Sequence, residues 1–455
     1  MKRPSLATLC LGFALVAFAA AAAAPPPPDN GADPGGGAVP VPPAGNDDVT
    51  ADVATWAPPS NAEPAGAADE HSADPIARGR YLVDAGDCES CHTTVGGAPF
   101  AGSRPIPTPF GQVFSANLTP DPTTGIGNWT ADHFYRAMHK GRGPHGKHFY
   151  PVFPYTYFTK MPRADTDAIY AYLRTLPPVT LKTPKPKIPF PLNIRGLLGI
   201  WNALFFHPGQ FRPDPGKSEE WNRGAYLVQG PGHCGGCHTP KNFLGADKRK
   251  RAFQGGRLDN WVAVNLTGDP RQGLARWSRE DVAEYLRGGR NAWSTASGAM
   301  QEVVYYSTSR MSDADLLAIA TYLKDLPPGA PATRVRPPRP GRMEAGAAIF
   351  ADTCAACHKA DGSGNPGLFP PLAGNASVQA KDPTTLVRIM LQGSRSVPTP
   401  ARPTPLAMPA FAWKLSDGEI ASVATFVRNS WGNQAPPVHA SKVAKLRRKY
   451  GGQRP

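Results

Sequence analysis

Apolar residues recur at helical spacing in two kinds of segment, and each kind occurs three times along the chain. The first kind combines a small residue with aromatic or aliphatic neighbours, at 76–83, 221–228 and 346–350. The second kind is amphipathic, at 168–173, 318–323 and 423–427. This spacing predicts helices. We therefore predict three units, each with a small-residue helix at its start that crosses an amphipathic helix at its end.

Segments without periodicity separate the units and give the domain boundaries. Proline and glycine account for 53 and 47 of the 455 residues, which is typical of loops and extended linkers. The predicted fold is mainly α, with three tandem domains and Pro-rich linkers. The domains span 77–178, 219–328 and 342–432, the links 179–218 and 329–341, and a basic tail 433–455.

The amino terminus has the pattern of a secretory signal peptide over 1–24. Basic Lys2 and Arg3 precede an alanine-rich apolar run that ends at Ala24. Prolines follow at once, which disfavours the alternative of a retained membrane anchor. Residues 25–76 contain Pro, Ala, Gly and acidic side chains but no Lys or Arg, so they predict a disordered linker. We expect an exported, periplasmic protein.

The charge of the chain is strongly basic outside this linker. Lys and Arg together number 49 against 35 for Asp and Glu, a net charge of +14. Because the 25–76 segment is acidic, the positive excess belongs to the remaining body. Such a body favours an acidic partner or an anionic lipid surface. Export argues against nucleic acid as a partner.

The cysteines follow a single pattern. Apart from Cys10 in the signal segment, all lie in Cys-x-x-Cys-His motifs: Cys88, Cys91 and His92; Cys234, Cys237 and His238; Cys354, Cys357 and His358. Cysteines three apart lie on one side of a helical turn. Their sulfurs can bond two vinyl groups on one edge of a haem, while the next histidine supplies an axial nitrogen. The three motifs predict three covalently bound haem c groups.

Three alternatives fit these motifs less well. Structural zinc uses pairs of Cys-x-x-Cys and needs no histidine after each. A thioredoxin-type dithiol would occur once, and structural disulfides need no fixed pairs at this spacing. Haem c is attached outside the cytoplasm, which agrees with the predicted signal peptide.

Units one and two share a further block that unit three lacks. Residues 117–129 (Asn-Leu-Thr…Trp) match residues 265–277, so duplication explains the first two units. Trp129 and Trp277 end this block. Their indole N–H groups either bond haem propionates or only wall the pocket.

A methionine thioether is the expected sixth iron ligand. In unit three Met408 is predicted, because it lies 50 residues after His358 and shortly before the last helix, whereas Met390 reads as core. In unit two Met300 is preferred to Met311, which stands at the start of the last helix where unit three has Leu415.

The first unit offers no methionine in the corresponding place. Phe153-Pro154 stands where Met-Pro would be expected. Met161 is therefore the predicted ligand, with His145 and His148 as rivals, while Met138 reads as the apolar face of a helix.

The chain resembles the triheme cytochrome c subunit of bacterial membrane-bound dehydrogenases, of the alcohol dehydrogenase and gluconate 2-dehydrogenase type. The resemblance rests on the three Cys-x-x-Cys-His motifs, the Asn-Leu-Thr block, and Trp221–Val228 with His233-Cys234. The resemblance implies three cytochrome c domains. It also implies a separate catalytic dehydrogenase subunit as partner, and ubiquinone or another downstream acceptor at the outer face of the cytoplasmic membrane. The chain would then be no enzyme on its own.

Two other functional classes remain open from the sequence. One is a self-contained periplasmic carrier, and the other is a haem enzyme such as a peroxidase or a thiosulfate-oxidising cytochrome. Residues 194–206 are apolar but too short to span a bilayer. They could dock a partner, touch quinone, lie at the membrane interface or pack between domains one and two.

Overall fold

The structure is a computed structural model that describes residues 72–258, 260–329, 335 and 337–450. The predicted signal peptide, the acidic linker up to residue 71, residues 330–334 and 336 of the second link, and the last five residues lie outside the described residues. The fold is mainly helical, as the sequence predicted, and its strands form three separate two-stranded antiparallel sheets.

The first unit begins with a capped helix and places the cysteine motif on the next one. Asp74 accepts hydrogen bonds from the backbone N–H groups of Ile76 and Ala77, which starts the first helix. The elements are α1 (Pro75–Ala85), α2 (Cys88–His92), β1 (Pro105–Thr108), β2 (Gly111–Phe114), α3 (Ala131–Lys140), α4 (Tyr155–Phe158) and α5 (Arg163–Leu173). A further helix, α6 (Leu197–Phe205), follows in the segment predicted as a linker.

The second unit repeats this order. Its elements are α7 (Glu219–Gln229), α8 (Gly235–His238), β3 (Gln254–Leu258), β4 (Trp261–Asn265), α9 (Arg279–Gly288), α10 (Ala299–Tyr306) and α11 (Asp313–Lys324). Thr130 in unit one and Ser278 in unit two, each directly after the tryptophan of the repeated block, cap α3 and α9 with side-chain hydrogen bonds. The repeated block therefore has the same local structure in both units.

The third unit keeps the first and last helices but differs between them. Its elements are α12 (Pro340–Thr353), α13 (Ala355–His358), α14 (Ala376–Gln379), α15 (Thr384–Gln392), β5 (Ser394–Arg395), β6 (Ala407–Met408), α16 (Asp417–Val427) and α17 (Ala440–Tyr450). The short β5–β6 pair presents Met408 opposite Ser394.

A glycine allows the first and last helices of every unit to touch. A Cβ atom on Gly79, Gly224 or Gly346 would lie 2.0, 1.8 or 2.4 Å from the backbone oxygen of Ala168, Ala318 or Ser422, respectively. These distances leave room only for hydrogen. The predicted crossing of the small-residue and amphipathic helices is therefore a backbone-to-backbone contact in all three units.

Units one and two are joined by two equivalent buried hydrogen bonds. Tyr81 of unit one donates to Asp315 of unit two at 2.6 Å, and Tyr226 of unit two donates to Asp165 of unit one. Each aspartate, only 1% exposed, also binds an arginine of its own unit, Arg78 or Arg223. The apolar side chains of the two units form one continuous core.

The carboxyl-terminal residues differ from the predicted separate basic tail. Helix α17 packs on unit three, with Val443, Leu446 and Tyr450 buried in its core. Arg447 bonds Asp417 at 2.7 Å and the backbone oxygen of Leu415 at 2.6 Å. The basic residues of this helix lie beside an apolar stripe that the charge pattern concealed, so α17 completes the third domain.

Prediction for the helix crossing. Replacing Gly224 with alanine should reduce the free energy of unfolding by about 3 kcal/mol, because the added methyl group meets backbone atoms that cannot move independently. Urea unfolding of the purified protein measures the change. The control is Gly341→Ala near the start of α12, where the added methyl meets no atom within 4 Å. We expect a change within about 0.5 kcal/mol there, and equal losses in both variants would contradict the close crossing.

Candidate haem sites

Each Cys-x-x-Cys-His motif forms a single helical turn just after the first helix of its unit. The backbone N–H groups of His238 and His358 bond the carbonyl oxygens of Cys234 and Cys354 at 3.0 Å, one helical turn back. Helix α2 includes all five residues of the first motif. Because residues at positions i and i+3 lie on one side of a turn, each pair of thiols faces the same way.

The three motif histidines are oriented by equivalent hydrogen bonds. The Nδ1 atoms of His92 and His238 lie 2.7 Å from the backbone oxygens of Ala116 and Val264, and His358 Nδ1 lies 3.0 Å from that of Pro370. A carbonyl oxygen only accepts, so Nδ1 carries the proton and donates. The Nε2 lone pair of each ring is therefore left for a metal, which is the arrangement that metal-binding histidines use.

These carbonyl partners explain the repeated Asn-Leu-Thr block. Ala116 and Val264 directly precede Asn117 and Asn265, whose side-chain oxygens accept backbone N–H groups two residues on, at 2.9 and 2.8 Å. The asparagine turn thereby fixes the chain that presents the carbonyl. The sequence showed the repeat but not this role, since backbone acceptors leave no residue signature.

The motif histidines and several motif cysteines are partly removed from solvent. Burial lowers the pKa of His92, His238 and His358, which keeps the imidazoles neutral and able to bind a metal. Burial also raises the pKa of Cys237 and that of Cys354 to about 11. Thiols of this kind lack the thiolate character that a catalytic dithiol requires.

The arrangement of the cysteines bears on the alternatives to haem. All six described cysteines are free thiols, so none forms a disulfide here. Within the part of the chain that the structure describes, no group of three or more His, Cys, Asp and Glu side chains is placed to hold a metal ion. Structural zinc would need such a group. Paired thiols beside one oriented histidine instead fit a porphyrin, whose own nitrogens supply most of the iron ligands.

The methionines fall into two groups according to burial. Met300 on α10 and Met408 on β6 are half-buried at the edge of a core cluster. Met161 is 0% exposed and Met311 is 8% exposed, both within the core shared by units one and two. Met408 borders the same cluster as Cys354, and its role as an iron ligand stays a prediction. The full burial of Met161 favours a packing role over its predicted ligand role.

The remaining predicted residues lie as follows. Met138 and Met390 are buried in cores, as expected of packing residues. His145 is exposed on a turn. Trp129 and Trp277 pack half-buried against the core, which places them in the wall of their units, and their bond to a propionate stays a prediction.

The helix α10 contacts the motif of unit one. Arg104 bonds Glu302 of α10 at 2.8 Å and also the backbone oxygen of Ser90, inside the first Cys-x-x-Cys-His motif. In the reverse direction, Tyr157 of α4 lies over Gly235 in the second motif, where a Cβ would be 2.9 Å from its hydroxyl. Each unit thus covers the cysteine motif of the other.

The same helix also contacts unit three. Gln301, next to Met300, donates to the backbone oxygen of Arg395 in β5, the strand that pairs with the Met408 strand. Met300 also borders a small cluster that includes Val397 of unit three. The segment that carries Met300 therefore lies between the first motif and the third-unit methionine.

The helical units and their Cys-x-x-Cys-His turns define a c-type cytochrome. A Cytochrome c family model matches residues 76–177 and 343–431, which are units one and three. The second unit, outside these matches, repeats the architecture of the first. Haem c bound covalently is therefore the cofactor of this class.

Whole-chain similarity identifies the family more closely. The alcohol dehydrogenase (quinone) cytochrome c subunit of Gluconacetobacter polyoxogenes is 42% identical, over 82% of this chain and 84% of that protein. The gluconate 2-dehydrogenase cytochrome c subunit of Pantoea cypripedii is 40% identical over 84% and 91%, and the fructose dehydrogenase cytochrome subunit of Gluconobacter japonicus 35% over 82% and 82%. The chain belongs to the cytochrome c subunits of dehydrogenases. It is an electron-transfer subunit rather than an enzyme on its own.

Proposed function

We propose that this chain carries three haem c groups, one in each unit, and relays electrons from a catalytic dehydrogenase subunit to ubiquinone at the periplasmic face of the cytoplasmic membrane. The observation that carries the proposal is the threefold recurrence of one arrangement. In every unit a paired-thiol turn is followed by a histidine whose Nδ1 is bonded to a backbone oxygen.

The residues assigned to haem are the six motif cysteines for covalent attachment and the three motif histidines as axial ligands. Met300 and Met408 are assigned as sixth ligands in units two and three. When bound, haem c supplies a centre that accepts and releases one electron at a time. The protein's part is to hold these centres in a nonpolar environment and close to one another.

The contacts of α10 support an order of transfer through unit two. Glu302 of this helix is bonded to Arg104 beside the first motif, and Gln301 is bonded to β5 beside Met408. Unit two therefore lies between the other two units. Oxidation of one substrate molecule releases two electrons and two protons. The chain would carry the electrons singly, and ubiquinone would take up two electrons and two protons to form ubiquinol.

The acceptor and the location are supported by different observations. One relative's name specifies quinone, alongside alcohol dehydrogenase. The basic and apolar pattern of the first 24 residues is that of an export signal. Covalent haem attachment also takes place outside the cytoplasm. These features favour the periplasm as the site of function.

The α6 surface is proposed as the place where the chain rests on the membrane. It consists of exposed apolar side chains on and around α6: Phe190, Leu192, Ile194, Leu197, Ile200, Leu204, Phe243 and Leu244. Leu197, Ile200 and Leu204 form one stripe of the helix. Asn202, on the other face of α6, bonds Tyr155 at 2.6 Å, and Trp201, beside the stripe, bonds the Leu244 backbone oxygen at 3.0 Å.

Basic residues beside this surface favour an anionic lipid bilayer as its occupant. Residues 248–251 are Lys-Arg-Lys-Arg, all exposed, and they follow Leu244 by a few positions. Lys182, Lys185 and Lys187 are exposed on the segment that leads to α6. Among the described residues no helix is long and apolar enough to cross a membrane. Apolar side chains flanked by Lys and Arg suit the bilayer interface.

Prediction for haem content. The mature protein should contain about three haem c groups per chain, measured by the pyridine haemochrome assay and by intact mass. Replacing Cys354 and Cys357 together with alanine should remove one group. The control is Ser90→Ala, which changes a motif residue without a thiol and should leave the count unchanged. A native count of two, or no loss in the double variant, would contradict the assignment.

Prediction for electron relay. The tagged full-length chain, purified from its native membranes in mild detergent, should bring a catalytic dehydrogenase subunit with it. Ethanol, gluconate and fructose would be tested in turn as electron donors, and one of them should reduce the haem absorption bands. Adding a short-chain ubiquinone should then reoxidise them. A chain that purifies alone, or haems that substrate reduces but ubiquinone does not reoxidise, would contradict the relay to quinone.

Prediction for membrane binding. The purified chain should sediment with vesicles that contain phosphatidylglycerol, more strongly than with phosphatidylcholine alone. Ile200→Ser and Leu204→Ser should each weaken binding by about tenfold, because each removes an apolar side chain from the bilayer contact. Val95→Ser is the matched control, since Val95 is 69% exposed against 61% for Ile200 but lies outside the α6 surface. Equal weakening by all three would contradict the proposed surface.

A further inference from the structure

Two positions recur before the last helix of the units. The inner position directly precedes that helix and is filled by Met161, Met311 and Leu415, which are 0%, 8% and 8% exposed. All three lie in core clusters. The outer position precedes the inner one and is half-buried; units two and three fill it with Met300 and Met408. The assigned iron ligands are therefore at the outer position.

Backbone hydrogen bonds identify the outer position of unit one. Helices α3 and α9 both end at a left-handed glycine, Gly141 with φ 59° and Gly289 with φ 68°. The chain then returns to this glycine: Phe149 N–H bonds the Gly141 oxygen at 2.8 Å, and Ala296 N–H bonds the Gly289 oxygen at 2.7 Å. The outer position is four residues beyond Ala296 in unit two, so in unit one it is Phe153.

Phe153 brings no donor atom to that position. Its ring is half-buried and packs edge-on against Phe149 and Phe158, with centroids 5.8 and 5.6 Å away. A phenyl ring has no lone pair with which to bind iron. Tyr155, two residues on, is fully buried and its hydroxyl bonds Asn202 of α6.

The other donor side chains of unit one stand at positions other than the outer one. Met161 occupies the inner position, and Met138 stands where unit two has the core residue Leu286. A Cβ on Gly199 of α6 would lie 3.6 Å from His148 Nε2, so this nitrogen faces α6. His139 stacks on Tyr135 with ring centroids 4.1 Å apart, and both His139 Nε2 and His148 Nδ1 are buried without a hydrogen-bond partner.

We infer that the first unit leaves the haem iron without a sixth protein ligand, and that this iron takes up small exogenous ligands such as carbon monoxide or cyanide. The inference rests on the haem attachment proposed above. A thioether ligand raises the reduction potential of haem, so the first unit should also have a lower potential than a methionine-ligated one. It would be the only described unit with an accessible iron coordination site.

The test is a carbon monoxide titration of the reduced, full-length holoprotein. We expect about one carbon monoxide per chain, with the remaining haems unaffected. The pyridine haemochrome assay on the same sample separates the two proposals. Three haems without carbon monoxide binding would overturn this inference alone, whereas fewer than three haems would overturn the proposed cofactor content.

Two reciprocal substitutions test the position directly. Phe153→Met should abolish carbon monoxide binding and increase the methionine–iron charge-transfer absorption of the oxidised protein by about half, from two ligated haems to three. Met300→Phe should raise carbon monoxide binding to about two per chain. If Phe153→Met leaves both readouts unchanged, the outer position does not face the iron and the inference is wrong.

The controls address the rival donors. Met161→Leu introduces the residue that unit three carries at the inner position, so the core should accept it. It should change neither carbon monoxide binding nor the charge-transfer absorption, and His148→Ala should also change neither. Additional carbon monoxide binding in either variant would identify the replaced side chain as the sixth ligand and overturn the inference.

Discussion

Two buried carboxylates hold the relative position on which the rest of the structure depends. Asp165 and Asp315 are each bonded by an arginine of their own unit and by a tyrosine of the other. Removing one partner of a buried charged group typically costs several kcal/mol of folding free energy. Separating units one and two would therefore be strongly unfavourable. This placement brings α4 over the second motif and α10 beside the first. The approach of the first and second cysteine motifs to the opposite unit therefore follows from the way the helices of units one and two pack.

The sequence predicted the repeated parts of this structure and missed the contacts between them. Gly79, Gly224 and Gly346 stood at helical spacing beside aromatic residues, so the close crossings were foreseeable. The carbonyl of Ala116 was not, because it is any residue's backbone atom brought to His92 from 24 positions away. The sequence also did not predict that α10 joins the three units, since Gln301 and Glu302 form their hydrogen bonds with residues of the other two units.

The predicted linker 179–218 and the predicted tail 433–455 show where prediction from the sequence fails, because each contains a helix. Residues 194–206 were expected either to pack between domains or to lie exposed, and α6 does both, with Trp201 and Asn202 inward and Ile200 outward. Net charge concealed the fold of α17, because its lysines and arginines outnumber the three buried residues that anchor it. In short helices such as these, the sequence pattern alone does not show which face is buried. The surface on which the helix packs decides it.

The position of α17 has a consequence for synthesis. Arg388 is fully buried between the rings of Trp261 and Tyr450, at 4.1 and 4.2 Å, so the last described residue closes a contact that joins units two and three. During synthesis, a nascent polypeptide that has not yet reached α17 could complete units one and two but not unit three. Carboxyl-terminal truncations or fusions that displace α17 would therefore disturb unit three and its contact with unit two, while the hydrogen bonds between units one and two would stay in place.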